Sequence, residues 1–130
     1  MTNLEIIQEL YICFRSRDLD RLRELMHPQI RWNQMDHFPA GGKRVGADEV
    51  FEHVFAPFSS DWTGFRSRVD EFIDGGDRIV AVGAYEGVFN ATGKSVHAPF
   101  THVYELNDGR VTRFDQFTDT HAVHLARTPD

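Results

Sequence analysis

At 130 residues the chain has the size of one domain around one hydrophobic core. Its composition, 41% hydrophobic and 26% charged, excludes a collagen, a coiled coil or a disordered chain. With 14 basic against 20 acidic residues the net charge of −6 disfavours nucleic acid and anionic lipid as partners. No apolar run approaches the roughly 20 residues of a membrane span, and residues 1–20 carry no leader pattern. Cys13 is the one cysteine, so nothing argues for an oxidising compartment and a cytoplasmic location is expected.

Thr2 and Glu5 form a capping box opening a helix over 2–17, where Ile6, Ile7, Leu10, Tyr11 and Phe14 recur at three- and four-residue spacing. Asp18 is placed to cap a second short helix with Leu19, Leu22, Leu25 and Met26 as its stripe. His27-Pro28 ends it, because the residue before proline is pushed out of the α region. Residues 30–36 read as a strand with Trp32, Gln34 and Asp36 on one side. A loop over 37–46, rich in glycine and proline, leads to a third helix from Ala47, with Val50, Phe51, Val54 and Phe55 buried and Pro57 at its end. From Gly64 the period becomes two. A strand runs to Ile73, Asp74-Gly75-Gly76-Asp77 turns the chain, and long strands follow over 78–90 and 94–107. Asn107-Asp108-Gly109 is a hairpin signal, 110–119 the return strand, and the tail over 120–126 is helical.

The order α-α-β-α-β-β-β-β, without linker or repeat, predicts a single domain over 1–130. Its class is α+β, with three N-terminal helices packed on one face of a bent, mostly antiparallel sheet. The strands from 78 onward are apolar on both faces, Val80 and Val82 on one and Ile79, Ala81 and Tyr85 on the other. A second copy of the chain, in a homodimer through the outer sheet face, is the economical cover.

Several of these segments together resemble the SnoaL-like group, in the superfamily of ketosteroid isomerase, scytalone dehydratase and nuclear transport factor 2. They are Arg17-Asp18-Leu19-Asp20, Ile30-Arg31-Trp32, Gly83 with Tyr85 and Gly87, Thr92-Gly93-Lys94, Ala98-Pro99-Phe100 with His102, and 108–119 from Asp108-Gly109 to Thr118-Asp119. The resemblance covers about the whole chain. It implies a cone-shaped α+β barrel, a sheet wrapped around helices with an internal cavity open at one end, and often a dimer.

Carried over residue by residue, the isomerase's base aspartate falls on Gln34, its protonated aspartic acid on Thr101, and its tyrosine near Tyr11. Neither an amide nor a hydroxyl acts as a base near neutral pH, so that isomerase activity is not expected. The acid/base aspartate of SnoaL-type cyclases falls on Gln116, with Asp115 beside it facing the other side. Epoxide hydrolases of the superfamily need an Asp-Arg-Asp relay that is not evident. The histidine, tyrosine and aspartate of scytalone dehydratase are present by type: His97, Tyr11 or Tyr85, and Asp36 or Asp119. If Thr101 points inward, so do His97, Pro99 and Val103; if Gln116 does, so do Phe114 and Thr118. With Tyr11, Trp32, Gln34 and Trp62 these make an apolar, aromatic pocket with a few polar groups.

Each candidate has a structural alternative. His97 is either the acid/base or a hydrogen-bonded strand residue, Asp36 an assistant or a loop anchor, and Asp119 an assistant or the cap of the last helix. Tyr11, Trp32 and Trp62 are pocket walls or plain core. No metal site is expected: His97 and His102 face opposite sides of one strand, and His121 and His124 lack further partners beyond Asp119. Cys13 reads as a buried small hydrophobe, and no cofactor is implied. Three functions remain open: a pocket for a small apolar, oxygen-bearing metabolite; a cofactor-free isomerase, cyclase or dehydratase with His97 as acid/base; and a dimeric interaction protein with a filled pocket.

Overall fold

The computed structural model describes residues 1–130. Helix α1 (Asn3–Ser16) starts where the capping box places it: the Glu5 N–H donates to the Thr2 hydroxyl at 3.1 Å, and the Thr2 N–H donates to the Glu5 carboxylate at 2.9 Å. Arg17 closes it in the left-handed region, and Asp18 caps α2 (Leu19–Leu25) through the Arg21 N–H. The chain then passes directly into β1 (Met26–Gln34). His27-Pro28 therefore lies inside a strand that starts four residues earlier than the sequence pattern indicates.

Within the expected loop the short strand β2 (Gly42–Val45) pairs antiparallel with β1. Its four residues alternate between half-covered and exposed with none buried, too short and too open a run to stand out in the sequence. The backbone is then helical without a break over 47–61, as α3 (Ala47–Val50), a π-helical turn (Phe51–Phe55) and α4 (Ala56–Asp61). Pro57 does not end this stretch. It sits in the first turn of α4, directly after the wide π turn, where its missing N–H and its ring are tolerated.

Strands β3 (Trp62–Asp74), β4 (Arg78–Phe89), β5 (Ser95–Asn107) and β6 (Arg110–Thr118) form an antiparallel meander, followed by α5 (Thr120–Arg127). The sheet runs β2-β1-β6-β5-β4-β3. One pairing is parallel, β1 with β6, matching Trp32 to Phe114 and Asn33 to Asp115. The sheet is thus mixed and open, an α+β cone with the helices inside its curve. Within the curved sheet, β3 presses directly on β4 at two glycines. A Cβ on Gly83 would stand 1.8 Å from the Arg68 carbonyl oxygen, and one on Gly87 2.9 Å from the Phe65 Cα, so only glycine permits this approach. The β3–β4 register slips twice over the same stretch.

The interior divides into two clusters, one around Ile7, Leu10, Leu22, Ile30 and Val50, the other around Trp62, Tyr85, Phe100 and Val123. Strand β5 faces the interior with Phe100, His102 and Tyr104. This corrects the inward set taken from Thr101. His97 and Pro99 are exposed on the outer face, and Thr101 and Val103 are half-covered there. Side chains alternate along a strand, so one residue's slip in the family comparison turns every one of them to the other side.

Candidate functional site

Between the two clusters lies a cavity of about 870 Å³. Helix α1 contributes Tyr11 and Phe14, the π turn Val54 and Phe55, β1 Trp32 and Gln34, and β3 to β6 close the far side with Phe65, Tyr85, His102 and Phe114. The π turn bears directly on this wall. Its wider coil sets Phe51 edge-on to Phe55 at 5.1 Å, and Phe55 edge-on to Trp32 at 5.4 Å. Trp32 in turn stacks on Phe114 at 3.9 Å between ring centres.

One polar chain crosses this aromatic interior. The Tyr104 and Tyr11 hydroxyls are 2.8 Å apart, Tyr11 Oη lies 2.6 Å from His102 Nδ1, and His102 Nε2 lies 2.5 Å from Tyr85 Oη. Gln116 Nε2 donates to Tyr85 Oη at 2.8 Å, while its carbonyl accepts the Met35 N–H at 3.0 Å. That backbone donor fixes which way the amide points. Gln34 is held likewise: its carbonyl accepts from Trp32 Nε1 at 3.0 Å and its Nε2 donates to the Pro39 carbonyl at 3.0 Å. Both amides that the sequence suggested for substrate binding are engaged by the protein itself.

Burial sets the charge state. It pushes the His102 imidazole down to about 3, and raises the Tyr11, Tyr85 and Tyr104 phenols above their ordinary value. At neutral pH the whole chain is uncharged. An imidazole between two phenols can exchange hydrogen bonds on either nitrogen, but it cannot store a positive charge.

Of the residues singled out from sequence, Tyr11, Trp32, Gln34, Trp62 and Phe114 line the cavity, and Gln116 stands directly behind Tyr85. His97, Pro99, Thr101 and Val103 do not reach it. Thr118 donates its hydroxyl to the Pro99 carbonyl at 2.8 Å, away from the cavity. Asp36 is exposed in the turn after β1, and Asp119 caps α5 by accepting the Ala122 N–H at 3.0 Å. Glu86 lies on the outer face, paired with Arg66 at 2.7 Å and with Arg68. His102 and Tyr104 carry the polar chain and were missed. The row Phe100, His102 and Tyr104, alternating with the smaller Pro99, Thr101 and Val103, is by itself a weak signal, because those smaller residues are compatible with either side. No group of three or more His, Cys, Asp or Glu side chains is placed to hold a metal ion.

The fold matches known proteins. Residues 7–114 fit the SnoaL-like domain. The chain belongs to the SnoaL-like family. No curated protein matches it. Among solved structures, this SnoaL-like protein superposes on an NTF2-like protein from Burkholderia thailandensis E264 with a TM-score of 0.95, at 32% identity over 99% of each chain. An NTF2-like protein of unknown function from Burkholderia pseudomallei K96243 gives 0.89 at 29% identity over 98% of each. TerC, co-crystallized with polyporic acid, gives 0.85 at 31% identity over 95% of this chain and 96% of its own.

Proposed function

We propose that this SnoaL-like protein holds a flat, aromatic, oxygen-bearing metabolite in its cavity. The observation that carries the reading is the uncharged Tyr11–His102–Tyr85 chain inside a wall of stacked and edge-on rings. Rings supply broad apolar contact, and a few fixed polar groups orient the ligand's oxygen. Polyporic acid, with which TerC was co-crystallized, is an aromatic, oxygen-bearing molecule of the same kind. The outer face of β4 to β6, with Val80, Val82, Thr101, Val103 and the 54%-exposed Phe117, carries a homodimer in this reading.

The test is titration of tryptophan fluorescence with polyporic acid, since Trp32 and Trp62 both line the cavity. Saturable quenching is expected, weakened roughly tenfold in Tyr85→Phe, about 1.4 kcal/mol for one hydrogen bond. Absence of saturation overturns the reading.

The same chain favours a second reading, a cofactor-free isomerase, cyclase or dehydratase in which His102 takes the place expected for His97. Its two nitrogens touch two phenols, so a proton gained at one and released at the other leaves the site neutral. Incubating the protein with such ligands and following their absorbance tests this. Turnover that disappears in His102→Gln while binding persists supports it; binding without turnover refutes it.

A further inference from the structure

The cavity also carries a charge preference, which rests on its being a ligand site. The run Tyr104–Tyr11–His102–Tyr85 contains three hydrogen bonds. Four protons are available to make them, three phenolic O–H and the one N–H of a neutral imidazole. Each bond uses one, so one donor is left over. Gln116 does not take it up: the atom it turns to Tyr85 is its Nε2, a donor, and its carbonyl is turned to the Met35 N–H. The Gln34 carbonyl is turned to Trp32 and makes no hydrogen bond to any of the three phenols. Tyr11, Tyr85 and Tyr104 all line the cavity, so the surplus O–H stays on a residue of its wall whichever phenol carries it. The floor therefore presents a donor O–H.

The walls are biased the same way. Four arginines and no aspartate or glutamate line the cavity, in a chain with 20 acidic and 14 basic residues. Arg66 and Arg68 are balanced by two carboxylates, Glu86, which pairs with both, and Asp70, which pairs with Arg68 at 3.0 Å. Arg15 makes no ion pair, and the Arg17 guanidinium donates to the uncharged Ser59 hydroxyl at 2.6 Å. Nearby carboxylates are engaged elsewhere: Asp18 caps α2, and Glu9 pairs with Arg21 at 2.8 Å. Arg15 and Arg17 thus stand at the exposed end of the cavity without an ion-pair partner.

We infer that the cavity selects an anion, an aromatic carboxylate or acidic enol, whose charge is drawn by Arg15 and Arg17 and whose acceptor oxygen meets the surplus hydroxyl. Donors and cations on one path disfavour a neutral ligand whose polar group must donate.

A matched pair tests this. 2-Naphthoate and 2-naphthamide have nearly the same shape and differ in charge, and tryptophan quenching reads the binding of each. Naphthoate is expected to bind about tenfold tighter, the difference between a charge-assisted and a neutral hydrogen bond. The preference should shrink with added salt, because exposed charges are screened. In Arg15→Gln/Arg17→Gln the preference should fall toward parity, and a cooperative urea-unfolding transition shows that the variant is folded. Equal or tighter binding of naphthamide to the unaltered protein overturns the charge preference and leaves the ligand-site reading intact. Binding of neither overturns both.

Discussion

The neutral imidazole of His102 has a measurable consequence for stability. In the folded chain, burial holds its protonation down to about 3, whereas in the unfolded chain it takes a proton near its ordinary value, about 6.5. Below that value the unfolded state binds one proton more than the folded state, so stability falls as pH falls. The loss spans the window from about 6.5 to about 3 and is absent above it. Its slope is about 1.4 kcal/mol per pH unit, or about 2 kcal/mol between pH 7 and pH 5. Carboxylates titrate at the lower end of this window, so the contribution is isolated by comparison with His102→Gln. That variant keeps one hydrogen-bonding group opposite the tyrosines and cannot be protonated. Urea unfolding followed by the fluorescence of the buried Trp32 and Trp62 gives stability at each pH. The unaltered protein should lose about 2 kcal/mol more than the variant over that range, although the variant starts less stable. Parallel curves would refute the reasoning, as would a His102 resonance titrating near pH 6.5 in the folded protein.

Two further outcomes follow from packing. Gly83→Ala places a methyl group against the Arg68 carbonyl, which belongs to the backbone and cannot swing aside, so β3 must move off β4. The expected cost is about 3 kcal/mol in urea unfolding, and a loss under about 0.5 kcal/mol would show that the sheet does not depend on this close approach. The proposed homodimer should sediment as a dimer at micromolar concentration and dissociate in Phe117→Asp, which sets a charge on the exposed outer face. A monomeric unaltered protein would refute that interface.

The local signals were legible where the residues needed no distant partner. Thr2 with Glu5, Asp18 before Leu19, and Asn107-Asp108-Gly109 each satisfy backbone groups within a few positions, and the elements begin or turn there. The aromatic character of the cavity was legible too, because Tyr11, Trp32 and Phe114 recur on apolar faces. What was not legible is the facing of β5. Pro99, Thr101 and Val103 are compatible with either side, and the row Phe100, His102 and Tyr104 declares itself only when β4 and β6 are laid beside it. The same limit hid β2, which exists by pairing with β1, and the engagement of Gln34 and Gln116, whose partners include the carbonyl of Pro39 and the N–H of Met35.

The parallel pairing of β1 with β6 imposes an order of events on biosynthesis. About 76 residues separate Gln34 from Arg110, roughly 4–15 s of translation at about 5–20 residues per second. Throughout that interval Trp32 on the nascent chain lacks the ring of Phe114 it will stack on, and one edge of β1 stays open. The last strand to leave the ribosome is the one that joins the first strand to the meander, and it delivers Gln116 to Tyr85 at the same moment. Closure of the sheet and completion of the pocket floor are therefore a single late step.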